Sequence, residues 1–446
     1  MKENPDVEIV AGYNKMYIAV DDTDSREGMC TTFLATELVK EFKEYQLLDH
    51  PRLVRLNPNV PWKTRGNGAI VLPLGEGIEK KNKIGEIRGE DIWTFKGEHT
   101  TDDTVFQRAK RVVENLAHTE EEETNPGLIV AQEKTPVELY QKAVKDLVEL
   151  EEVLESLEQG EYIYKGYGKC RGLIGASAGL AWRPEDFTYE LLSYRDENFW
   201  GKPRTIDGSS VKELDEKIEG SFDNYDHVEE KQAIAPTSPC PVLYGVRGDD
   251  PIELQKALEL VEGEEPERWI TFLSNQATDE HIQSTTLSEA NAWNSVKVTG
   301  KISSEPRWIE GGHLLFQIDD GTDKITAAAY EPTKNFRDVV KELIKGDKIE
   351  LWGAIRKDPR TLNIEKMRIL ELEEKVVKIS NPECPKCGKN MSSLGKNAGY
   401  RCKRCRTKAE EDQAVKEKVD RDIYERWYEV PVSARRHLTK PLKRMD

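Results

Sequence analysis

The sequence predicts an α+β multidomain protein, and three observations carry that prediction. Short apolar runs alternate with helix-like segments over the first half, a strand-rich stretch covers residues 292–370, and two CxxC pairs follow at Cys384/Cys387 and Cys402/Cys405. In residues 1–160 the apolar runs at 16–20, 53–56, 69–74 and 128–131 are the expected strands. Helices are expected over 31–45, 104–117 and 136–157, which makes this an α/β domain. Residues 161–285 begin with a Gly-rich segment and a helix-like stretch at 176–182. Strands at 189–194, 241–246 and 269–273, helices at 210–218 and 251–261, and a short extended piece then follow. That order is compatible with the split βαββαβ of a ferredoxin-like domain. Residues 290–375 alternate apolar and polar positions at 295–302 and 348–355, with a helix near 335–344 between later strands, which suits an OB-fold β-barrel. Asp319-Asp320-Gly321 reads as a hairpin turn there. A zinc ribbon is expected at 380–410, and a Glu-rich helix followed by a basic C-terminal tail at 411–446.

The 446 residues carry a net charge of -17, which at first argues against a polyanionic partner. The distribution argues otherwise. Residues 51–75, 384–409 and 430–445 contain no Asp or Glu, while they hold Arg52, Arg55, Lys63 and Arg65 in the first and Arg435, Arg436, Lys440, Lys443 and Arg444 in the last. Since exposed charges are screened beyond ~8 Å at physiological salt, such patches can meet nucleic acid on an acidic protein. The acidic excess itself reads as a solvated surface. No apolar stretch approaches the ~18 residues of a membrane span, and Met1-Lys2-Glu3-Asn4-Pro5-Asp6 is unlike a secretory signal, so a cytoplasmic protein without a membrane partner is expected.

Chemistry is concentrated after the first strand, in Asp21-Asp22-Thr23-Asp24-Ser25-Arg26-Glu27-Gly28-Met29-Cys30-Thr31-Thr32. Three carboxylates within four residues repel one another, and a hard cation such as Mg²⁺ shared with phosphate oxygens would offset that charge. Thr31 and Thr32, at the start of a helix, then become phosphoryl acceptors or metal ligands. The alternative is an acidic turn in which Asp24 or Ser25 caps the helix. Gly166-Tyr167-Gly168-Lys169-Cys170-Arg171-Gly172 precedes another helix, where glycines and cations let a backbone approach phosphate, or form an ordinary loop. Gly28, Gly166, Gly168 and Arg171 are the expected nucleotide-binding positions. Cys384, Cys387, Cys402 and Cys405 have the spacing of a closed, structural Zn²⁺ site, set among basic residues suited to RNA. Cys30, Cys170 and Cys240 are expected to be packed rather than reactive.

The aspartate loop, Arg55-Leu56-Asn57-Pro58-Asn59-Val60-Pro61-Trp62-Lys63-Thr64-Arg65-Gly66-Asn67-Gly68, residues 166–175, Phe222-Asp223-Asn224-Tyr225-Asp226 and Ser274-Asn275-Gln276-Ala277-Thr278-Asp279 together resemble the archaeal tRNA-isoleucine 2-agmatinylcytidine synthetase family over nearly the whole chain. The resemblance implies a kinase-like N-terminal catalytic domain, then ferredoxin-like, OB-fold and zinc-ribbon domains. It also implies an ATP-dependent ligase that joins agmatine to the 2-carbon of the wobble cytidine in isoleucine tRNA with a CAU anticodon. In this family ATP yields AMP and phosphates, and the cytosine 2-oxygen is phosphorylated before the amine attacks. Asp21, Asp22 and Asp24 would hold Mg²⁺ and ATP, Thr31 would take the family's autophosphorylation, and Lys63 and Arg65 would neutralise developing charge. Trp62 or Tyr167 would stack on the base or on agmatine, and Asp223 and Asp226 would pair with agmatine's cations or form a bulge. Two alternatives stay open on the sequence: another ATP-dependent RNA-modifying enzyme on the same scaffold, and a non-catalytic RNA-binding protein.

Overall fold

The computed structural model describes residues 16–63, 66–98, 102, 104–395 and 397–445. Its first strand, β1 (Met16–Asp21), is buried along its whole length. The pleat sends Ile18 and Val20 to one face of the sheet and Tyr17 and Ala19 to the other, so each face has its own core. The other main strands are β2 (Arg52–Arg55), β3 (Gly68–Ile87), β4 (Gly127–Ala131), β5 (Tyr162–Gly166), β6 (Thr188–Tyr194), β7 (Val242–Gly248) and β8 (Arg268–Ser274). They lie in the order β5-β4-β1-β3-β2-β8-β6-β7 within one eleven-stranded sheet.

The two expected N-terminal domains therefore share a sheet. β2 and β8 run parallel, with Arg52 opposite Leu273, and β3 pairs antiparallel with β8 at Arg268 and Ile87. Past the end of β8 the Asn275 side chain continues the ladder: its Oδ1 accepts from the Arg55 amide at 2.7 Å and its Nδ2 donates to the Arg55 carbonyl at 2.9 Å. In the second region the strands at 188–194, 221–222, 242–248 and 268–274 lie in the order fourth, first, third, second. That is how a split βαββαβ lays out its strands.

Helices α1 (Thr31–Glu41) and α2 (Val105–Leu116) cover one face through Phe33, Leu34, Leu38, Val105, Ala109 and Val113. Burying each large aliphatic or aromatic side chain there is worth ~1.5–3 kcal/mol relative to exposure. The opposite face carries α3 (Val137–Ala143), α4 (Leu150–Glu158) and α5 (Gly172–Ala181). The single helix expected over 136–157 is thus two. Between them Asp146, Leu147 and Val148 line a cleft, and the Ala143 carbonyl accepts from the Asn57 amide at 2.9 Å. Along α5 the glycines serve packing: a Cβ on Gly172 would lie 2.2 Å from the Gly127 nitrogen, and one on Gly175 1.7 Å from Asp21 Oδ2. α6 (Gly208–Lys217), capped by the Asp207 carboxylate, packs Val211 and Leu214 under β6 and β7.

The strand-rich region comprises β9 (Ser295–Ile309), β10 (His313–Asp319), β11 (Lys324–Ala329), β12 (Lys348–Arg356) and β13 (Thr361–Glu371), with the short α7 (Phe336–Val340) before β12. β9 pairs with β10 and β12, β10 with β11, β11 with β13, and β12 with β13. Asp319-Asp320-Gly321 forms the expected turn, with Gly321 at φ +87° and Asp320 Oδ1 accepting from the Thr322 amide at 2.9 Å.

Residues 376–380 pair with 415–418 in an exposed two-stranded ribbon that carries the cysteine module. The helix expected in 411–446 is absent from the described residues. Val415-Lys416-Glu417-Lys418 finds strand partners in Val376, Val377, Lys378 and Ser380, and inter-strand pairing overrides the local helical propensity of the Glu-rich run. Beyond Trp427–Glu429, which pairs with β13, the chain runs back along the seam between regions. The amides of Ala277 and Asp279 donate to the carbonyls of His437 and Leu438 at 2.8 and 2.9 Å.

Because a methyl at position 175 must displace the Asp21 carboxylate, Gly175→Ala is expected to destabilise the protein by ~1–3 kcal/mol. A lowered midpoint in denaturant titration checks it; an unchanged midpoint would mean that Asp21 yields at no cost.

Candidate functional site

A cleft of about 660 Å³ lies beyond the carboxyl end of β1. One wall is the aspartate loop. Asp22, at φ +55°, and Met29, also at φ +55°, turn the chain sharply. Ser25 ties the turn: its Oγ accepts from the amides of Glu27 and Gly28, both at 3.2 Å, and its amide donates to the Gly28 carbonyl at 3.0 Å. Neither Asp24 nor Ser25 caps α1. The N-cap is Cys30, with no side-chain cap, so the first-turn amides of α1 at Thr31 and Thr32 carry no such cap where these residues line the cleft. Thr23 Oγ1 donates to Thr31 Oγ1 at 3.2 Å, holding that hydroxyl against the loop.

Asp21, Asp22 and Asp24 all line the cleft. Burial, then the neighbouring Asp22 charge, holds the Asp21 carboxyl well above the ordinary carboxylate value. Burial and Asp24 push Asp22 up to about 6, against the pull of Arg171 and Asn125. Asp21 and Asp22 are each raised by the charge of a neighbouring aspartate, a repulsion that a divalent cation bound beside them would relieve.

The facing wall is basic. Arg55, Lys63, Arg171, Arg247, Arg436 and His437 line it. Arg55 and Arg247 come from β2 and β7 and are bridged by the buried Glu190 of β6, with Arg247 Nε 3.1 Å from Glu190 Oε1 and Arg55 Nη2 3.6 Å from Oε2. Burial pushes Glu190 up, yet Arg247 and Arg55 bring it below its ordinary value, so it stays charged. The Arg55 charge, the depth of the cleft and Arg247 keep His437 neutral, its ring open to the cleft. Burial and Arg436 lower Lys63 to about 8, and its Nζ donates to the Pro58 carbonyl. Trp62, exposed at the rim, lies under the Arg171 guanidinium, 5.9 Å from the ring centroid.

Among the expected site residues, the structure thus brings together Asp21, Asp22, Asp24, Thr31, Lys63 and Arg171. Arg65 lies outside the described residues. Gly28, Gly166 and Gly168 do not line the cleft; Gly168, at φ +54°, makes a turn packed on Asn125. Tyr167 turns away, its hydroxyl donating to Glu114 at 3.1 Å. Asp223 lines the cleft while pairing with Arg435, and Asp226 accepts from the Ser433 amide at 3.0 Å, so both contact the C-terminal segment. Sequence reasoning missed Arg55, Glu190, Arg247, Arg436 and His437 as one group. The acid-free stretches 51–75 and 430–445 signalled the first and the last two, whereas Glu190 and Arg247 sit in apolar strands with nothing to mark them.

The second site is the four-cysteine cluster. The Sγ atoms of Cys384, Cys387, Cys402 and Cys405 all lie within 4.8 Å of one another, and Cys387 and Cys402 are 3.6 Å apart. Thiolates ~2.3 Å from a common tetrahedral centre are separated by about 3.8 Å, so this set fits one Zn²⁺.

Family profiles described as TiaS TCKD domain, TiaS FLD domain and TiaS C-terminal zinc ribbon domain match residues 17–168, 170–281 and 381–423. TiaS of Methanocaldococcus jannaschii, an isoleucine-tRNA 2-agmatinylcytidine synthetase, is 41% identical over 442 residues, covering 97% of this chain and 99% of the relative. That of Archaeoglobus fulgidus is 40% identical over 440 residues, covering 97% and 98%. A solved complex of TiaS with isoleucine tRNA and ATP superposes with a TM-score of 0.83 at 38% identity. A second complex, of TiaS with isoleucine tRNA, AMPCPP and agmatine, superposes with 0.81 at 34%; each alignment covers 97% of this chain and 98% of the other. On identity of this level across nearly its full length, the chain belongs to the TiaS family of isoleucine-tRNA 2-agmatinylcytidine synthetases.

Proposed function

We propose that this protein is an ATP-dependent ligase of the cytoplasm that attaches agmatine to the 2-carbon of the wobble cytidine of isoleucine tRNA with a CAU anticodon. The observation that carries the reading is the cleft, where an aspartate loop with two threonine hydroxyls faces Arg55, Lys63, Arg171, Arg247 and Arg436. Such an arrangement suits a metal-bound triphosphate on one side and an RNA phosphate on the other. Kinship with complexes that hold isoleucine tRNA, ATP, AMPCPP or agmatine supports it. The pairing order of β9 to β13 favours an OB-type module for RNA strands, that of β6 to β8 a ferredoxin-like one, and the α/β unit around the aspartate loop a kinase-like one.

In this reading Asp21, Asp22 and Asp24 hold Mg²⁺ and the ATP phosphates, and Thr31 receives a phosphoryl group. Bound Mg²⁺ would neutralise phosphate charge there. Lys63 and Arg65 stabilise negative charge as it develops, and Arg171 with Trp62 forms a stacking edge for a planar group. Gly28, Gly166 and Gly168 shape the loops behind the nucleotide. The cytosine 2-oxygen gains phosphate and becomes a leaving group. The agmatine amine attacks C2, a C–N bond forms, the C–O bond breaks, phosphate departs with the oxygen, and the amine loses a proton.

The assay is direct: purified protein, ATP, agmatine and CAU-anticodon transcript, followed by mass measurement of the nucleosides. No agmatine-sized gain on the wobble cytidine in the presence of Mg²⁺ would sink the reading. ATP turnover without incorporation would point to another modification on this scaffold, and tRNA binding alone to a non-catalytic role. In the same mixture Thr31→Ala is expected to abolish labelling of the protein by γ-labelled ATP; wild-type labelling would remove Thr31 from its role. Lys63 carries its charge below about 8 and loses it above. Hence kcat is expected to fall as pH rises through that value, and Lys63→Arg, with a far higher pKa, should move this alkaline limb upward. A limb that stays put in the variant assigns the titration to another group.

A further inference from the structure

The basic wall depends on residues 431–440, a segment in which no residue is part of a strand. β13 holds it in place. The register against β12 skips one residue of β13, pairing Trp352 with Lys366 and Gly353 with Ile364, so Glu365 is the extra residue of a β-bulge. Bulges re-aim side chains, and this one lets two sequence neighbours of opposite charge, Glu365 and Lys366, both reach buried partners on the returning segment. Lys366 Nζ donates to Asp279 and to the Lys440 carbonyl at 2.8 Å, 4.5 Å from the Trp352 ring centroid. Glu365 Oε2 accepts from Thr439 Oγ1 at 2.6 Å and lies 3.2 Å from His281 Nε2, while Oε1 is 3.5 Å from Arg436 Nη1. Arg436 in turn donates to Asn59 Oδ1 and faces the cleft.

We propose that Glu365 is a positioning residue for the reaction, acting from the strand-rich module through Arg436 to set the place and charge of the cleft's basic wall. The inference rests on the ATP-dependent tRNA-modification reading above. A carboxylate this deep needs compensation, and it has it: burial pushes Glu365 up, but Arg436, His281 and Thr439 hold it down at about 2, so it is charged at every working pH. Its charge also reaches Lys63. Among the described residues, the charged groups acting on Lys63 are Arg436, which lowers it, and Glu365, which raises it; its Nζ donates to the Pro58 carbonyl, and its charge helps to depress the neutral His437 ring. One carboxylate thus lies against Arg436 and partly offsets the lowering of Lys63. It does so from the module expected to hold tRNA, linking the seating of that module to the state of the cleft.

The test uses the full chain with ATP, agmatine and the CAU-anticodon transcript. Glu365→Gln is expected to lower kcat about tenfold or more while tRNA affinity stays within about threefold, since Arg436 keeps its charge for RNA phosphate and loses only the contact that fixes its place at the reacting site. Without the carboxylate the alkaline limb set by Lys63 should move to lower pH, and Glu365→Asp should recover a large part of kcat. A kcat within about threefold of wild type, a limb that stays put, or a parallel loss of tRNA affinity and kcat would each overturn the proposal. If Glu365→Gln fails to fold by thermal melt, Thr439→Val removes only the hydroxyl that steers Glu365. It should then lower kcat and shift the limb the same way, and wild-type values for both would overturn the role. Wild-type protein that incorporates no agmatine would instead overturn the reading on which the role rests.

Discussion

The interaction on which this site depends is the buried bridge of Arg55, Glu190 and Arg247. Two guanidinium groups from strands in different regions are brought to one edge of the cleft, where alone they would repel each other and lose hydration. Glu190, whose strand lies between theirs both in sequence and in the sheet order, makes that approach tolerable. Gln276 donates to the same carboxylate and belongs to the segment that seats the C-terminal residues. The bridge therefore fixes the relation of three elements at once: the β2 edge, the β7 edge and the returning chain. Its cations depress the His437 imidazole and give the cleft a positive field opposite its acidic loop. Removing only the carboxylate would leave two buried charges uncompensated, a larger penalty than losing a surface pair.

A continuous sheet makes this geometry durable. With β8 inserted beside β2 and β3, the aspartate loop and the Arg55–Glu190–Arg247 bridge hang from one hydrogen-bonded sheet rather than from two domains that slide. The asymmetry with the cysteine module is clear. That module hangs from a two-stranded ribbon whose residues Val376, Val377, Ile379 and Val415 are exposed, and it adds only a small core of its own around Met391 and Tyr400. The candidate site sits on the part built from the continuous sheet, and the lightly anchored part is the one with basic residues around a zinc-type cluster.

Local patterns made much of this legible. The DDTD loop after an apolar run, the CxxC pairs and the Asp-Asp-Gly turn are short-range signals, and each is found where the residues place it. Long-range events were not legible. The Glu-rich stretch after residue 409 has the composition of a helix, but strand partners at 376–380 decide its conformation. The glycines of 166–175 read locally as a phosphate loop or an ordinary loop, while the need for Gly172 and Gly175 in the close approach of α5 to β1 and β4 is something no local pattern encodes. Glu190 was invisible for the same reason: a lone acid in an apolar strand gains its meaning from Arg55 and Arg247, which are distant in sequence. The bulge at Glu365 is likewise a property of the β12–β13 register and not of either strand alone.

The returning C-terminal segment also sets a timetable. The contact of Arg436 with Asn59 joins residues 377 positions apart, so a ribosome lays down the whole aspartate loop long before the residues that complete the opposite wall. During that interval the nascent chain has acids and hydroxyls but neither Arg436 nor His437. The cleft stays unfinished on a partial product, because the finishing residues emerge only after the strand-rich module and the cysteine module. The order of synthesis thus delays the complete cleft until the strand-rich and cysteine modules already exist, and an interrupted polypeptide lacks the part of the wall that Arg436 and His437 supply.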